Sequence, residues 1–95
     1  MATIKIKYFG MLRDIVGSRE ESVKVDDKLN ASEVVSLLAQ KYGEKFSEFV
    51  LEKDGTLRVG FAYAINGSSV SASKLASTKC KDVHEFVILP PISGG

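Results

Sequence analysis

The stretch that decides the fold lies at residues 86–95, which read FVILPPISGG. Its first four residues are all apolar, which is typical of a central strand that is covered on both faces and often paired in parallel. Pro90 and Pro91 follow, and the sheet must stop there because neither has a backbone N–H. The sequence therefore predicts a domain over residues 1–89 and an extended, flexible tail over residues 90–95.

The two glycines that close this tail are its most unusual feature. Two glycines at a chain end have a chance probability of about 0.005 at average glycine usage. Without a Cβ, Gly94 and Gly95 could thread a narrow tunnel and leave the terminal carbonyl carbon open to attack. We therefore expect the Gly95 carboxylate, once activated by ATP, to be the reactive group. A terminus without function is the alternative.

Length, charge and composition exclude most other sources of function. Ninety-five residues suffice for one domain, and 44% apolar with 26% charged residues is ordinary globular composition. A net charge of +1 removes the main electrostatic reason to expect a nucleic acid or an anionic membrane as partner. No segment has the apolar length of a signal peptide or a membrane span, so we expect a cytoplasmic protein.

Residue periodicity predicts the remaining elements. One main helix is predicted over residues 31–42, with Asn30 as N-cap, Glu33 completing a capping box and Gly43 ending it. Asn66 and Gly67 are a strong hairpin signal. Predicted strands cover residues 3–8, 22–25, 57–59, 61–65 and 68–70, with helical pieces at 10–17 and 46–50 and a loop at 71–81. This order predicts an α+β roll, in which the last strand lies beside the first in a mixed sheet.

The side chains offer no familiar catalytic or metal-binding pattern. Cys80 and His84 are the only residues of their types, and on one strand they would stand about 13 Å apart, too far for a nucleophile–base pair. We therefore expect a semi-buried cysteine, a solvent-facing histidine and no metal site. Three lysines, Lys74, Lys79 and Lys81, could form a basic rim for an acidic partner or simply a solvated loop.

The sequence resembles the small subunit of molybdopterin synthase, a family of ubiquitin-like sulfur carriers. The resemblance covers nearly the whole chain, through residues 4–17, the capped helix, the segment 65–67 and residues 86–95. The ending Leu-Pro-Pro-Ile-Ser-Gly-Gly is its most specific element. The resemblance implies a β-grasp fold, with one main helix on one face of a mixed sheet.

The resemblance also implies a substrate-like subunit of a heteromeric sulfurtransferase, without an active site of its own. An E1-like adenylyltransferase would adenylate Gly95 with ATP and magnesium, and sulfur transfer would make a Gly95 thiocarboxylate. The large subunit of molybdopterin synthase would then use this sulfur to build the dithiolene that holds molybdenum or tungsten. The chain itself would bind no cofactor.

Further residues receive a role from the same resemblance. Partner-binding residues in the tail would be Pro91, Ile92, Ser93 and Gly94. Phe9, Phe61 and Tyr63 would lie on the exposed face that partners cover, although core packing is the preferred assignment for any single one of them. The sequence departs from the family at Val83, where a glycine is usual, at Cys80, where an aliphatic residue is usual, and in the longer segment 44–59.

Three functions remain open on the residues alone. The first is the molybdopterin sulfur carrier, which the Pro-Pro-Ile-Ser lead-in favours. The second uses the same activated Gly95 to supply sulfur for thiamine or tRNA, or to attach to lysines as a protein modifier. The third is a non-covalent ubiquitin-like binding module, which would not need a free Gly-Gly end.

Overall fold

One mixed sheet with helices on one side makes up the fold, which a computed structural model describes for residues 1–91. The strands are β1 (Ala2–Tyr8), β2 (Glu20–Val25), β3 (Ala62–Ile65), β4 (Ser68–Val70) and β5 (Glu85–Leu89). The helices are α1 (Gly10–Val16), α2 (Ala31–Tyr42), α3 (Glu44–Val50) and α4 (Ala72–Ser77), and a 3-10 turn covers Cys80–Asp82. None of these helices is long and apolar enough to span a membrane.

The central position of β5 confirms the prediction from its apolar sequence. The strand order is β2-β1-β5-β3-β4, with β5 parallel to β1 and antiparallel to β3. Phe86 and Ile88 of β5 are fully buried, and so are Ile4 and Ile6 of β1. These side chains form one core with the apolar residues of all four helices. The first and last strands of the domain thus lie side by side over this core.

The other face of β5 differs from the prediction, because no helix of the described residues covers it. Val87 is half-buried and Leu89 is 36% exposed. The buried residues of every helix within residues 1–91 gather on the opposite side of the sheet. The uncovered face also carries exposed Lys5, Lys24 and Ala62. Val87 and Leu89 of β5 are therefore apolar although the packing of the described residues does not bury their face of the sheet.

Helix α2 begins and ends as its sequence predicts. Asn30 Oδ1 accepts a hydrogen bond from Glu33 N at 2.9 Å, and Glu33 Oε1 accepts one from Asn30 N at 3.0 Å. These two bonds complete the capping box and satisfy donors that the first turn leaves free. At the other end, Gly43 has φ +86° and donates its N–H to Ala39 O at 2.9 Å.

Residues 71–81 form helical structure, so the prediction of a loop was wrong. Ser71 caps α4, because its Oγ accepts a hydrogen bond from Lys74 N at 3.2 Å. Leu75 is fully buried and anchors this helix to the core. The many serines hid the helix, since serine has only modest intrinsic helix propensity. The capping signal at Ser71 could have revealed it.

The predicted strand at residues 57–59 is also absent. Leu57 makes only an isolated bridge with Leu51, and Val59 stands in a turn with 91% of its surface exposed. Gly60, at φ +97°, provides the left-handed backbone of this turn. Leu57 and Val59 are therefore apolar residues of a turn and not of a strand.

The turn before β5 explains how the chain tolerates Val83. This residue has φ −110° and is 2% exposed, so it needs no positive φ. The side chain of Asn66, in the β3–β4 hairpin, holds this turn through hydrogen bonds. Asn66 Oδ1 accepts hydrogen bonds from His84 N at 2.7 Å and Glu85 N at 3.0 Å, and Asn66 Nδ2 donates to Asp82 O at 2.8 Å. Asn66 itself has φ +52°, which asparagine tolerates better than most residues.

A carboxylate, Glu21 of β2, ties the sheet to α2. It accepts hydrogen bonds from Tyr8 Oη at 2.5 Å, from Lys41 Nζ at 2.7 Å and from Tyr42 Oη. Burial by itself raises the pKa of Glu21, but the hydrogen bonds from Lys41, Tyr42 and Tyr8 outweigh it, so the net pKa lies below its usual value. Three donors thus hold one ionised group between the two layers.

We expect Glu21→Gln to lower the free energy of unfolding by about 1.5–3 kcal/mol at neutral pH, the usual worth of hydrogen bonds to a charged group. Because folding lowers the pKa of Glu21, its contribution is present above the unfolded pKa and is lost as the pH falls through the folded value. The difference between wild type and variant should therefore shrink in acid. Denaturant unfolding at a series of pH values measures it.

Glu52→Gln is the control for this prediction. Glu52 is exposed and pairs with Arg58 at 3.1 Å, so its loss should change stability by about 0.5 kcal/mol or less. An equal effect of the two substitutions, or a Glu21 effect that persists unchanged in acid, would contradict the role given to Glu21.

Candidate functional site at the tail exit

The chain leaves the sheet at the end of β5, beside the end of β1. The parallel register pairs Ile88 with Tyr8, and the antiparallel register pairs Leu89 with Ala62 of β3. Pro90 is half-buried and Pro91 is exposed. We call this point, formed by Pro90, Pro91 and the residues around them, the tail exit. Four predicted site residues, Ile92, Ser93, Gly94 and Gly95, lie outside the described residues.

Two glycines flank the two prolines at the tail exit. A Cβ on Gly10 would stand 3.4 Å from Pro90 Cγ, and a Cβ on Gly60 would stand 3.4 Å from Pro91 Cβ. Both glycines have positive φ, +56° and +97°. Glycine at these positions therefore serves a left-handed backbone, and both glycines lie within van der Waals reach of the prolines. The prolines leave the sheet between two fixed segments, which sets the direction in which the tail starts.

Three exposed apolar side chains belong to segments that meet at the tail exit, and we call them the exit rim: Phe9, Val59 and Leu89. They are 45%, 91% and 36% exposed. Phe9 has an extended backbone, so it points away from the face on which Tyr8 is buried. Leu89 follows buried Ile88 and shares the uncovered face of the sheet. Apolar side chains grouped on an exposed surface are typical of an interaction site.

The three aromatic residues predicted for an exposed face fall into three different environments. Phe9 is exposed, as expected. Phe61 is half-buried and packs edge-on against Phe49, with ring centroids 5.5 Å apart. Tyr63 is 2% exposed and stacks on Phe86 with ring centroids 6.2 Å apart, which agrees with the preferred assignment to the core and excludes a place on the exposed face. The alternation along β3 turns Tyr63 toward the core, next to Ile65.

Sequence reasoning missed Val59 and Leu89. Val59 was assigned to a strand, although the glycine after it is a turn signal. Leu89 was assigned to a strand buried on both faces. Its exposure follows because no helix within residues 1–91 packs on that face, and no local sequence pattern shows whether a strand face will be covered.

Cys80 and His84 do not form a catalytic pair. Cys80 is fully buried rather than semi-buried, and burial raises the pKa of its thiol, with a further contribution from the negative charges of Glu33, Asp27 and Asp26. A thiol in such surroundings is a poor nucleophile. His84 is exposed, as predicted. Within residues 1–91 no three His, Cys, Asp or Glu side chains are grouped to hold a metal ion.

The three lysines proposed as a basic rim, Lys74, Lys79 and Lys81, are exposed. Lys79 Nζ donates a hydrogen bond to Lys28 O at 3.2 Å, so this side chain also helps to hold the segment that precedes α2. An acidic partner for these lysines stays a prediction.

We expect Gly60→Ala and Gly55→Ala to lower stability by similar amounts, about 1–2 kcal/mol each, because both impose positive φ on alanine. Gly55 has φ +89°, and a Cβ added there would meet no atom of residues 1–91 within 4 Å, whereas a Cβ at Gly60 would make ordinary van der Waals contact with Pro91. Thermal unfolding compares them. A much larger loss for Gly60→Ala would show that the backbone conformation is not the main reason for glycine at the tail exit.

Comparison with known proteins gives a consistent result. The profile of the ThiS family matches residues 6–95. A protein of Caenorhabditis briggsae named "Molybdopterin synthase sulfur carrier subunit" is 27% identical over 95 residues, which is the whole of both chains.

Two solved structures share the fold. SAMP1 from Haloferax volcanii has a TM-score of 0.79 at 26% identity, covering 98% of this chain and 99% of that one. The small archaeal modifier protein 1 of Methanosarcina acetivorans has a TM-score of 0.78 at 29% identity, covering 100% and 98%. These structures confirm the β-grasp fold. Because the family profile spans nearly the whole sequence, the chain belongs to the ThiS family and is a ubiquitin-like protein of the sulfur-carrier type.

Proposed function

We propose that the chain is the sulfur carrier of molybdenum or tungsten cofactor biosynthesis and carries sulfur as a thiocarboxylate on Gly95. The observation that supports this most directly is the tail exit. The central strand gives way to Pro90 and Pro91 beside an exposed apolar rim, and only two residues separate Pro91 from Gly94 and Gly95 in the sequence. The Caenorhabditis briggsae relative, aligned over its full length, supports the choice of cofactor pathway.

The proposed chemistry takes place on the end of the main chain. The Gly95 carboxylate attacks the α-phosphorus of ATP in the activating enzyme, which releases pyrophosphate and leaves an acyl adenylate. A sulfide equivalent then attacks the carbonyl carbon, a C–S bond forms, and the C–O bond to AMP breaks. The thiocarboxylate product is ionised at neutral pH and nucleophilic at sulfur. ATP and magnesium belong to the E1-like partner in this proposal.

The domain contributes recognition and positioning to these steps. Pro90 and Pro91 have restricted backbones, so less entropy is lost when the tail enters a partner. The exit rim offers apolar contacts at the base of the tail, where a partner that receives Gly95 must come close. The activating enzyme and the large synthase subunit would use this same surface. Their binding is therefore expected to be mutually exclusive.

The mass of the chain tests the carrier function. Incubation with an E1-like enzyme, ATP and a sulfur source should raise the intact mass by the replacement of one oxygen by one sulfur. Deletion of Gly95 should abolish the change, while Lys53→Ala, at an exposed position of the 51–57 segment, should not. No mass change under conditions that thiolate a known carrier would sink this proposal.

Val59→Asp tests the exit rim. The side chain is 91% exposed, so stability should change by about 0.5 kcal/mol or less. A charge in an apolar contact should nevertheless slow thiolation by about tenfold or more at subsaturating carrier, as for an interface hot spot. Initial rates measure the effect.

The control for this substitution is Ala76→Asp, which places the same charge on the exposed surface of α4. It should react like wild type. Equal rates for both variants would exclude Val59 from the docking surface.

A second function, attachment to lysines as a protein modifier, is supported by the similarity to the two small archaeal modifier proteins. The same acyl adenylate would react with a lysine amine, an amide bond would form, and AMP would leave. Mass spectrometry of proteins from cells that express the chain distinguishes the two. Lysines that carry the C-terminal residues of this chain would support the modifier, and a thiocarboxylate without such conjugates would support the carrier.

A further inference from the structure

The outer edge of β2 is open to another strand. The Tyr8 N–H donates to Arg19 O at 2.9 Å, so this pair is hydrogen bonded and fixes the alternation along the antiparallel ladder. The alternate residues, Glu20, Ser22 and Lys24, therefore direct their backbone N–H and C=O groups away from β1. No other strand of residues 1–91 pairs with this side.

One of these outward groups has a local partner. Ser18 Oγ donates to Glu20 O at 2.7 Å. A carbonyl oxygen has two lone pairs, so Glu20 O can still accept a second hydrogen bond. The N–H and C=O groups of Ser22 and Lys24 also face outward. Within the described residues, no side chain forms a hydrogen bond with them.

The charges along this edge are self-complementary in one antiparallel register. When Ser22 faces Ser22 of a second copy, Glu20 faces Lys24 twice, once on each side of the two-fold axis. Shifting the register one step either way sets Glu20 opposite Ser22 or Asp26. A further step sets Glu20 against Glu20, or Lys24 against Lys24. Of these registers, only the one centred on Ser22 sets opposite charges of the two strands directly against each other.

We propose that two copies of this chain associate through β2, antiparallel and centred on Ser22. The partner is a second copy because a two-fold axis makes each contact occur twice. Up to six main-chain hydrogen bonds would join the two sheets, flanked by two Glu20–Lys24 pairs on the uncovered face. The proposal does not depend on the sulfur chemistry proposed above.

The helix side of the same edge offers an apolar surface. A groove of about 370 Å³ lies between β2 and α2, and its lining includes Val23, Val25, Leu37 and Leu38. Leu37 is 41% exposed. In the two-fold arrangement the grooves of both copies meet along the joined edge, so Leu37 of each copy faces the other. This removes apolar surface from water in addition to pairing the backbones.

The Glu21 carboxylate does not oppose this arrangement. In the register centred on Ser22, it lies opposite Val23 of the second copy, on the helix side. Tyr8, Tyr42 and Lys41 already supply three hydrogen bonds to this carboxylate. Covering a carboxylate that already has three donors costs far less than burying an unpaired charge.

Sedimentation equilibrium of the full chain, from about 10 µM to about 1 mM, tests the association, since a small edge contact is expected to be weak. Wild type should show reversible dimerisation. Glu20→Lys and Lys24→Glu should each weaken it by about tenfold or more, because each creates two like-charge contacts. The double variant Glu20→Lys with Lys24→Glu should restore it to within about threefold.

Lys53→Glu is the matched control, because it makes the same charge change as Lys24→Glu at an exposed site off this edge. Its dimerisation should equal that of wild type. Amide hydrogen exchange gives a second readout that does not need a variant. Exchange at Ser22 and Lys24 should slow as concentration rises, whereas Val23, whose N–H points toward β1, should change little.

Several results would overturn the proposal. A wild-type chain that stays monomeric at about 1 mM would do so and would leave the edge to a strand of another protein. Free exchange at Ser22 and Lys24 in a dimer would place the contact elsewhere. A folded double variant that associates no better than the single variants would exclude the register centred on Ser22.

Discussion

The parallel pairing of β1 with β5 is the constraint on which the rest of the structure depends. It joins the first described strand to the last across more than seventy residues, and the Lys5 N–H donates a hydrogen bond to His84 O at 2.9 Å beside the paired residues. It places Phe9 and Leu89 at neighbouring strand ends. Such a non-local contact is costly in chain entropy and forms slowly. The tail exit is therefore complete only when the whole domain has folded.

Local signals in the sequence predicted much of this architecture. The capping box at Asn30 and Glu33, the turn at Asn66 and the alternation in β1 each depend on neighbouring residues, and each was confirmed. The prediction for residues 71–81 was wrong because burial of Leu75 stabilises a helix there despite the modest helix propensity of the exposed serines. Residues 57–59 were misjudged because valine favours strands in general and here stands in a turn.

The candidate site could be predicted only in part. Gly94 and Gly95 stand out in composition, and the proline pair marks where the sheet ends. The exit rim could not be predicted, because Phe9, Val59 and Leu89 are far apart in sequence and their segments come together only through the folded sheet. Tyr63 packs in the core, the assignment preferred for it from the sequence, because alternation along β3 turns it to the same side as Ile65.

The burial of Cys80 has a consequence for how the protein would behave toward sulfur reagents. The chain has one cysteine, and its thiol is fully buried with a raised pKa. An accessible thiol would exchange with persulfides and would attack an activated acyl group, diverting it into a thioester. Because Cys80 is enclosed, a folded chain loaded with a thiocarboxylate would present one ionised sulfur to an alkylating probe. An alkylating reagent could therefore label the thiocarboxylate of the native sequence selectively, with no need to replace Cys80.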